Sequence, residues 1–444
     1  MSSVNYNLCL KNGKAMIDDQ LVSTNIYSND GKIALLSDKS FSSDKSIDCT
    51  NLVILPGVID SQVHFREPGL EGKETLESGM LSAVAGGVTS IFEMPNTNPL
   101  TITPETIEDK LSRAAKGAWS DYAFYLGGTM RTSPNLSEWE NLKGVCGIKI
   151  FMGASTGDLM TATDEEVESV VANGRRVIAV HAEDQMIMMK NLIDILGDSN
   201  DVSMHCKWRS PESCLSATKR VVSLARKHNR RVHILHITTK EEMEFLSKNK
   251  DVASVELLAN HLTLHAPECY EKMGTLAQQN PPIREKHHQD SLWRALNNDV
   301  VDIIASDHAP HTLDEKSKIY PDSPSGTPGV QTLVPIMLNH VNNGKLSLNK
   351  LVSLWSYGPE RVHRIHNKGR IKIGYDADFT LVDMKKEMII TNKQQKSKSQ
   401  WTPYDGMKVK GWPTHTIVRS NIVMCDDEIL GQPIGQQVKF KETL

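Results

Sequence analysis

The stretch NLVILPGVIDSQVH (residues 51–64) is the first of eight apolar, β-branched runs, and these runs decide the fold. Runs of this composition and length are typical of buried strands. The other seven runs follow through the middle of the chain: VTSIFEMP (88–95), SDYAFYLGG (120–128), GVCGIKIFM (144–152), RRVIAVHAE (175–183), RRVHILHIT (230–238), SVELLANHL (254–262) and VDIIASDHA (301–309). Such runs predict a parallel sheet that is buried on both faces.

Helical patterns separate most of these runs. The segment TPETIEDKLSRAAKG (103–117) predicts a helix with Thr103 as its N-cap, Pro104 in its first position and Gly117 past its end. Alternating strands and helices build either a (β/α)8 barrel or an open, doubly wound sheet. The count of eight favours the barrel, and so does the lack of a glycine-rich phosphate loop after the first strand.

Both ends of the chain are β-rich and differ from the middle. Residues 1–55 have short alternating segments separated by Asn-Gly and Asp-Gly turns, and residues 367–444 have a similar pattern. We therefore expect both ends to form one small sheet domain beside a barrel that spans residues 56–366. The polar, Lys-rich segment KKEMIITNKQQKSKSQWTP (385–403) is expected to be a solvated loop.

Composition and charge exclude several classes of protein. Of the 444 residues, 39% are hydrophobic and 23% are charged, which is ordinary for a globular protein. The net charge of -4 and the pI of about 6.5 do not favour nucleic acid or an anionic membrane as a partner. No apolar run approaches the roughly 18 residues of a membrane helix. Seven scattered cysteines without CxxC spacing, and an N-terminus without a signal-peptide pattern, predict reduced thiols in a cytoplasmic protein.

Side chains that can bind metal stand where several of the runs end. The first run ends in Gln62 and His64, and later runs end in His181, His236 and Asp307. The carboxyl ends of barrel strands meet at one mouth, where barrel enzymes carry their catalytic groups. A single histidine is more often a hydrogen-bonded core or surface residue, but this joint placement indicates a metal site. Histidine and carboxylate ligands suit Zn²⁺ and leave positions open for water.

Asp307 and Lys149 each allow two interpretations. Asp307 follows the apolar VDIIAS, so it is a candidate acid/base that takes a proton from water and delivers it to a leaving nitrogen. Alternatively, it caps the following turn. Lys149 lies inside the apolar strand GIKIF, where a bare charge is costly to bury. It is either a salt-bridged lysine or a carbamate, formed with CO₂, that bridges two metal ions.

Nine motifs are spread in this order through nearly the whole chain: DSQVHFREPG (60–69), MPNTNP (94–99), KIFMGASTG (149–157), VHAED (180–184), ILHIT (234–238), NPPIR (280–284), SDHAPHT (306–312), SPSGTPGVQT (323–332) and KGRIKIGYDADFTLVD (368–383). Together they resemble the cyclic amidohydrolases, and the dihydroorotases most closely. REPG and MPNTNP favour the dihydroorotases over the hydantoinases, whose substrates need no carboxylate clamp.

The resemblance implies a metal-dependent hydrolase with a TIM barrel and a small β-sandwich formed by both termini. It implies reversible hydrolysis of dihydroorotate to N-carbamoyl-aspartate in pyrimidine synthesis. The implied metal ligands are His64, His181, His236 and Asp307, with Lys149 as a carboxylated lysine that bridges two zinc ions. Asp307 is also the implied catalytic acid/base.

The resemblance also implies how an anionic substrate is bound. Arg66, Asn96 and His311 match the groups that hold its carboxylate, and Asn280 matches a residue that contacts the ring. A guanidinium binds a carboxylate through two parallel hydrogen bonds, although an isolated Arg66 would more often pair with an acid such as Glu67. The Pro-, Gly- and Ser-rich stretch 312–329 shapes the pocket in this family and is expected to act as a lid. A homodimer is expected by the same analogy.

Gln62 departs from the family pattern, which has a histidine at this position. An amide oxygen is a weaker ligand for zinc than an imidazole. We therefore expect one secure zinc, held by His181, His236 and the carbamate, and a second, weaker zinc for which Gln62 is a doubtful ligand. Two alternatives stay open: a non-catalytic dihydroorotase-like partner of aspartate carbamoyltransferase, or another cyclic-amide hydrolase such as an allantoinase.

Overall fold

The computed structural model describes residues 5–154 and 159–444, so the last three residues of the motif KIFMGASTG lie outside the described residues. Seven short strands come first: β1 (Tyr6–Lys11), β2 (Lys14–Ile17), β3 (Gln20–Ser23), β4 (Asn25–Asn29), β5 (Lys32–Ser37), β6 (Ser43–Asp48) and β7 (Val53–Pro56). Four of them form one sheet in the order β5-β4-β1-β6.

Eight parallel strands follow and form the barrel. They are β8 (Val58–Val63), β9 (Val88–Glu93), β10 (Asp121–Gly127), β11 (Val145–Phe151), β12 (Ile178–His181), β13 (Val232–Ile234), β14 (Ala253–Leu258) and β15 (Ile303–Ala305). They lie side by side in chain order, and each of the eight apolar runs contributes one of them. Nearly all of their residues are buried, as expected for a sheet covered on both faces. The predicted (β/α)8 barrel is confirmed.

The barrel closes between its first strand and the residues that follow its last strand. Val63 forms a parallel bridge with His308. The backbone N–H of His64 donates to the carbonyl of His308 at 2.7 Å. The end of β8 and the end of β15 are therefore adjacent, and both carry candidate metal ligands.

Helices surround the barrel. Those in the described part of the chain are α1 (Leu76–Ala85), α2 (Pro104–Ala114), α3 (Leu136–Trp139), α4 (Asp164–Val171), α5 (Gln185–Asn191), α6 (His205–Trp208), α7 (Pro211–Lys227), α8 (Lys240–Leu246), α9 (Ala259–Thr263), α10 (Glu268–Met273), α11 (Lys286–Asn297), α12 (Leu313–Lys316), α13 (Leu333–Asn342), α14 (Leu348–Val352) and α15 (Gly358–His363). Helix α2 starts as the sequence predicts: Thr103 caps it, and its hydroxyl accepts the backbone N–H of Thr106 at 3.4 Å.

The last four strands are β16 (Phe379–Ile389), β17 (Lys408–Val418), β18 (Asn421–Cys425) and β19 (Glu428–Ile429). They join β7, β2 and β3 in a seven-stranded sheet, where β16 pairs antiparallel with β7. Both ends of the chain thus build a shared sheet structure. Gly57 separates β7 from β8, and a Cβ there would lie 2.4 Å from Oγ1 of Thr89, so the chain passes between the sheets at a point without room for a side chain. The domain limits after residues 55 and 366 stay a prediction.

The prediction of a solvated loop at 385–403 is wrong. Its first residues belong to β16, and Ser397 and Trp401 are buried. The Ser397 hydroxyl donates to the carboxylate of Glu74, and Nε1 of Trp401 donates to the carbonyl of His311 at 2.8 Å. Polar composition does not reveal this burial, because the buried polar groups find partners in the barrel.

Two further features concern membranes and thiols. Among the described residues, no helix has both the length and the apolar character needed to cross a membrane. All seven cysteines are free, and six of them are buried. Burial raises the pKa of the Cys49 thiol to about 12, so this thiol is protonated near neutral pH.

Candidate active site

A pocket opens at the carboxyl ends of the barrel strands and brings together most of the candidate residues. Its lining includes Gln62, His64, His181, His236, Asn280 and Asp307, with Phe151, Gln279 and residues 325–327. Four other candidates are buried next to this lining: Arg66, Asn96, Lys149 and His311. The stretch 312–329 therefore contributes residues 325–327 to the pocket lining. Its motion as a lid stays a prediction.

Asp307 is the centre of the first group of candidate ligands. Its Oδ1 lies 3.2 Å from Nε2 of His64 and accepts a hydrogen bond from Nε2 of Gln62 at 3.1 Å. Nδ1 of His64 donates to Oδ1 of Asn96 at 2.7 Å, which leaves the Nε2 lone pair for a metal. Burial alone would raise the pKa of Asp307. When no metal is bound, a proton on Nε2 of His64, in the position that a metal would take, donates to Asp307 and holds that pKa well below its usual range.

His181 and His236 form the second group. Nδ1 of His181 and Nε2 of His236 face each other at 3.1 Å. Nε2 of His181 donates to the carboxylate of Glu183 at 2.8 Å, so the lone pair of His181 lies on Nδ1. Arg209 in turn holds Glu183, with Nε 3.1 Å from Oε1. Burial lowers the pKa of both imidazoles and keeps them neutral, as ligands must be.

Lys149 lies on β11 and has no ion-pair partner among the described residues. Its side chain is fully buried, and its Nζ has no hydrogen-bond partner among the described residues. The nearest aromatic ring is that of Phe151, whose centroid lies 4.3 Å from Nζ. Burial lowers the pKa of Lys149 to about 7. The interpretation as a salt-bridged lysine therefore has no support in the geometry.

The donor set fits divalent metal ions. Two ligands on a tetrahedral zinc, each about 2.0–2.1 Å from it, lie about 3.3 Å apart. The His181–His236 and His64–Asp307 pairs have separations of 3.1 and 3.2 Å. A hydrogen bond at the second ring nitrogen fixes the free lone pair of His64 and that of His181, as in other metal sites. Strand β11, which carries the unpartnered Lys149, pairs with β12, which ends in His181.

A cationic group lies beside the first group of ligands. Nη2 of Arg66 is 3.2 Å from Nε2 of His311, and Nε of Arg66 donates to the carbonyl of Pro310 at 3.2 Å. On the other side of the ring, Nζ of Lys73 is 3.1 Å from Nδ1 of His311 and 2.8 Å from Oε1 of Glu315. Arg66 is 2% exposed, so its charge is held inside the protein, and no carboxylate in the described part of the chain forms an ion pair with it.

Asn280 also lines the pocket. Its Oδ1 accepts a hydrogen bond from Nε2 of His205 at 2.9 Å, and Nδ1 of His205 lies 3.2 Å from the hydroxyl of Tyr320. Burial lowers the pKa of His205 to about 3, so this ring is neutral. The NH₂ group of Asn280 is thereby directed away from His205.

Sequence reasoning missed three residues that support the site. Glu183 has a local signal, because it follows His181 by two residues and shares its side of an extended chain. Lys73 lies just past REPG, where its charge alone does not reveal its contact with His311. Arg209 has no local signal, since only the fold brings it to Glu183.

A second acidic group lies elsewhere, at the start of β10 and before β16. Carboxylate oxygens of Asp121, Asp376 and Asp378 approach one another closely enough to hold a cation. However, Nζ of Lys368 contacts all three carboxylates, and Arg419 also pairs with Asp121. These side chains already neutralise the group, so it offers no metal site.

Comparison with known proteins places this geometry in a family. A model of the amidohydrolase family matches residues 53–423. The chain belongs to the amidohydrolase family. Over 430 residues it is 37% identical to the dihydroorotase of Pyrococcus abyssi, covering 96% of this chain and 97% of that protein. Over 434 residues it is 33% identical to the dihydroorotase of Methanosphaera stadtmanae, covering 95% of this chain and 97% of that protein.

Solved structures of other amidohydrolases share the fold. The L-hydantoinase (dihydropyrimidinase) of Arthrobacter aurescens has a TM-score of 0.93 at 27% identity, covering 98% of this chain and 99% of that chain. A D-hydantoinase has a TM-score of 0.90 at 26% identity, with coverage of 98% and 99%. The resemblance inferred from the motifs is confirmed, and the chain is a cyclic-amide hydrolase of a family that is generally metal-dependent.

Proposed function

We propose that this amidohydrolase is a dihydroorotase, which reversibly hydrolyses dihydroorotate to N-carbamoyl-aspartate. The observation that carries the proposal is the buried guanidinium of Arg66, in contact with His311 and beside the candidate metal ligands. Dihydroorotate has an exocyclic carboxylate, whereas the ring of hydantoin has none, so only the former needs this cation. The similarity to curated dihydroorotases supports the same substrate.

The proposed metal centre holds two zinc ions. His181, His236 and a carboxylated Lys149 are the proposed ligands of one, and His64, Asp307 and the same carbamate are those of the other. Bound zinc supplies a water of lowered pKa and polarises the substrate carbonyl. Only the neutral amine of a lysine reacts with CO₂, so the lowered pKa of Lys149 supports carbamate formation near neutral pH.

Asp307 is the proposed acid/base. Its carboxylate takes a proton from the attacking water as the water oxygen bonds to the ring carbonyl carbon. It then gives this proton to the ring nitrogen as the carbon–nitrogen bond breaks, which leaves a ureido group and a carboxylic acid. The acid loses the remaining proton of the water to solvent and becomes a carboxylate. The contacts from His64 and Gln62 hold Asp307 at the pocket, and its low pKa keeps it ionised before the reaction.

Arg66 and His311 are the proposed clamp for the substrate carboxylate, and Lys73 sets the tautomer of His311. Lys73 and Arg66 can both only donate, and they face opposite nitrogens of His311, so a neutral imidazole accepts a hydrogen bond from one of them. The proposed acceptor is Nδ1, from Lys73, because Nε2 also faces the carbonyl of Ser325, to which it can only donate. The imidazole proton is then on Nε2, which lies 3.1 Å from the carbonyl of Ser325 at the pocket lining. From there Nε2 can donate to an anionic substrate. Asn96 and Asn280 are proposed to complete the binding site.

Gln62 is proposed to weaken the zinc site of His64 and Asp307 without abolishing it. Its Nε2 donates to Asp307, whereas its Oε1 is buried and has no hydrogen-bond partner among the described residues. An amide oxygen placed in this way is available as a weak, neutral ligand. The site can therefore retain its chemistry with one secure metal and one that exchanges more readily.

Ring opening by the zinc-reconstituted protein, followed as ultraviolet absorbance, tests the proposal. We expect turnover of dihydroorotate on the order of 1 per second or faster. In Arg66→Gln, KM for dihydroorotate should rise by about tenfold or more, equivalent to ~1.4 kcal/mol. Hydantoin is the matched control, because it has no carboxylate for Arg66 to bind. Turnover of hydantoin without turnover of dihydroorotate would contradict the proposed substrate.

Gln62 also favours a second candidate function, a non-catalytic partner of aspartate carbamoyltransferase. Against it, a decayed site is expected to lose ligands and clamp together, whereas only Gln62 departs from the family pattern. Folded, zinc-bound protein that turns over neither dihydroorotate, hydantoin nor allantoin would support this candidate.

A further inference from the structure

The hydroxyl of a buried tyrosine is held between two rings of one helical turn. His205 and Trp208 are the first and last residues of α6, so they lie three positions apart on one face of it. The hydroxyl of Tyr320 lies 3.2 Å from Nδ1 of His205 and accepts a hydrogen bond from Nε1 of Trp208 at 2.5 Å. The rings of Tyr320 and His205 meet edge to face, with centroids 5.7 Å apart. These contacts join the stretch 312–329 to α6.

The direction of each hydrogen bond in this group is fixed. An indole N–H can only donate, so the oxygen of Tyr320 accepts from Trp208, and its own proton can be donated to Nδ1 of His205. At the other edge of the imidazole, Nε2 of His205 lies 3.1 Å from the backbone carbonyl of Gln279, which can only accept. The proton of a neutral His205 is therefore on Nε2, and Nδ1 accepts from Tyr320.

This tautomer determines which way the amide of Asn280 faces. Nε2–H of His205 also points at Oδ1 of Asn280, at 2.9 Å. The reversed amide would place its NH₂ group against this N–H, so donor would face donor. The NH₂ group of Asn280, at the pocket lining, donates to no acceptor among the described residues. It is therefore a hydrogen-bond donor available to a bound molecule.

The ionisation states agree with these directions. Burial lowers the pKa of His205 to about 3, and the charge of Arg209 acts in the same direction. Burial raises the pKa of Tyr320 to about 12. Near neutral pH the imidazole is therefore neutral and the hydroxyl keeps its proton, so Nδ1 of His205 can accept and Tyr320 can donate.

We propose that His205, anchored by Tyr320 and Trp208, is a positioning residue that fixes the amide of Asn280 so that its NH₂ group binds a carbonyl oxygen of the substrate ring. The proposal rests on the proposed function, which assigns Asn280 to substrate binding. A donor that is already aimed costs less to order on binding than one that rotates. The stretch 312–329 would then act on the site twice, through lining residues 325–327 and through Tyr320 behind Asn280.

Nuclear magnetic resonance of protein with ¹⁵N-labelled histidine tests the first link. It needs no assay of activity, so its failure is separate from failure of the proposed function. The signals of His205 are assigned by their loss in His205→Gln. We expect the wild type to have a proton on Nε2 and a hydrogen-bonded acceptor at Nδ1, and Tyr320→Phe to shift the Nδ1 signal to that of an unbonded nitrogen. A proton on Nδ1, or a doubly protonated ring at neutral pH, would overturn the proposal.

Ring-opening kinetics test the effect on the substrate. His205→Phe keeps a ring and removes both nitrogens, so the amide of Asn280 loses its fixed direction. KM for dihydroorotate should rise by about threefold to tenfold, as expected for one hydrogen bond, with kcat nearly unchanged. His205→Gln should restore most of the loss, because its NH₂ group can donate in place of the ring Nε2–H. No recovery in a folded His205→Gln would contradict the donor role of His205.

Two comparisons separate positioning from general loosening of the fold. In protein that already carries Asn280→Ala, His205→Phe should no longer change KM, because its effect passes through Asn280. Tyr320→Phe should raise KM, whereas Tyr27→Phe should not, since Tyr27 is also buried but donates to a carbonyl in the terminal sheets. Circular dichroism checks that each variant is folded. A further rise of KM in the double variant, or a fall of kcat at constant KM, would overturn the proposal.

Discussion

Two buried lysines of this protein, Lys368 and Lys149, have opposite surroundings. Lys368 contacts the carboxylates of Asp121 at 2.7 Å and Asp376 at 3.1 Å, and also that of Asp378. Burial alone would lower its pKa, but these charges raise it. No carboxylate of residues 5–154 or 159–444 contacts the Nζ of Lys149, and burial lowers its pKa to about 7.

The difference supports the proposal that Lys368 is a structural lysine and Lys149 a reactive one. Lys368 links the barrel strand β10 to the residues before β16, and its charge is matched by carboxylates. Other buried lysines also have partners: Lys110 contacts Glu93, and Lys316 donates to three backbone carbonyls. Lys149 alone among these four lacks a hydrogen-bond partner, which is the state expected of a side chain that acquires an anionic group by reaction with CO₂.

The largest effect is expected from Lys149→Met, which keeps side-chain volume and removes the amine. Loss of the bridging carbamate should lower kcat/KM for dihydroorotate by about 10³ or more, equivalent to ~4 kcal/mol. The free energy of unfolding of the metal-free protein should not fall, because no ion pair is broken. Steady-state kinetics and urea unfolding measure the two quantities. Wild-type rates for this variant in bicarbonate-free buffer would falsify the carbamate role.

The opposite pattern is expected for Lys368→Met. Three buried carboxylates lose their shared cation, so the free energy of unfolding should fall by about 3–5 kcal/mol. The kcat/KM of the remaining folded enzyme should stay close to wild type, because this group lies away from the pocket. Urea unfolding is the measurement, and adding Asp378→Asn should restore part of the loss. Equal stability of Lys368→Met and wild type would contradict the structural role of Lys368.

Gln62→His is expected to have a smaller effect that sharpens the account of the metal centre. An imidazole in place of the amide should tighten the weaker zinc by about 10- to 100-fold, as expected for a restored ligand. Zinc retained after dialysis against a graded chelator measures this. The wild type should release one zinc well before the other, whereas the variant should release both together. Two equally tight zinc ions in the wild type would exclude a weakened site.

The smallest effect is expected from Lys73→Met, which removes the donor to Nδ1 of His311. The imidazole then loses its fixed tautomer, so KM for dihydroorotate should rise by about tenfold or less, with kcat nearly unchanged. Lys73→Arg, which keeps a cationic donor, should restore most of the loss. A fall in kcat at constant KM would instead assign Lys73 a role in the chemical step.

Much of the fold and site could be predicted from local sequence. Eight apolar runs specify eight strands, and a capping residue followed by proline specifies the start of α2. The ends of those strands identify His64, Lys149, His181, His236 and Asp307, since parallel strands meet at one mouth. By contrast, the burial of Ser397 and Trp401 depends on partners more than 80 residues away, so local polarity misled the prediction for 385–403.

The sequence by itself determined the barrel, the side chains at its mouth and the departure at Gln62, because strand periodicity and residue type are local properties. Only the tertiary structure decided which buried charges have partners. It left Lys149 without a counter-ion and surrounded Lys368 with three carboxylates, although both lysines lie in apolar or mixed segments of similar appearance. The physical reason is that the free energy of a buried charge depends on groups within a few ångströms in space, and these come from distant parts of the chain.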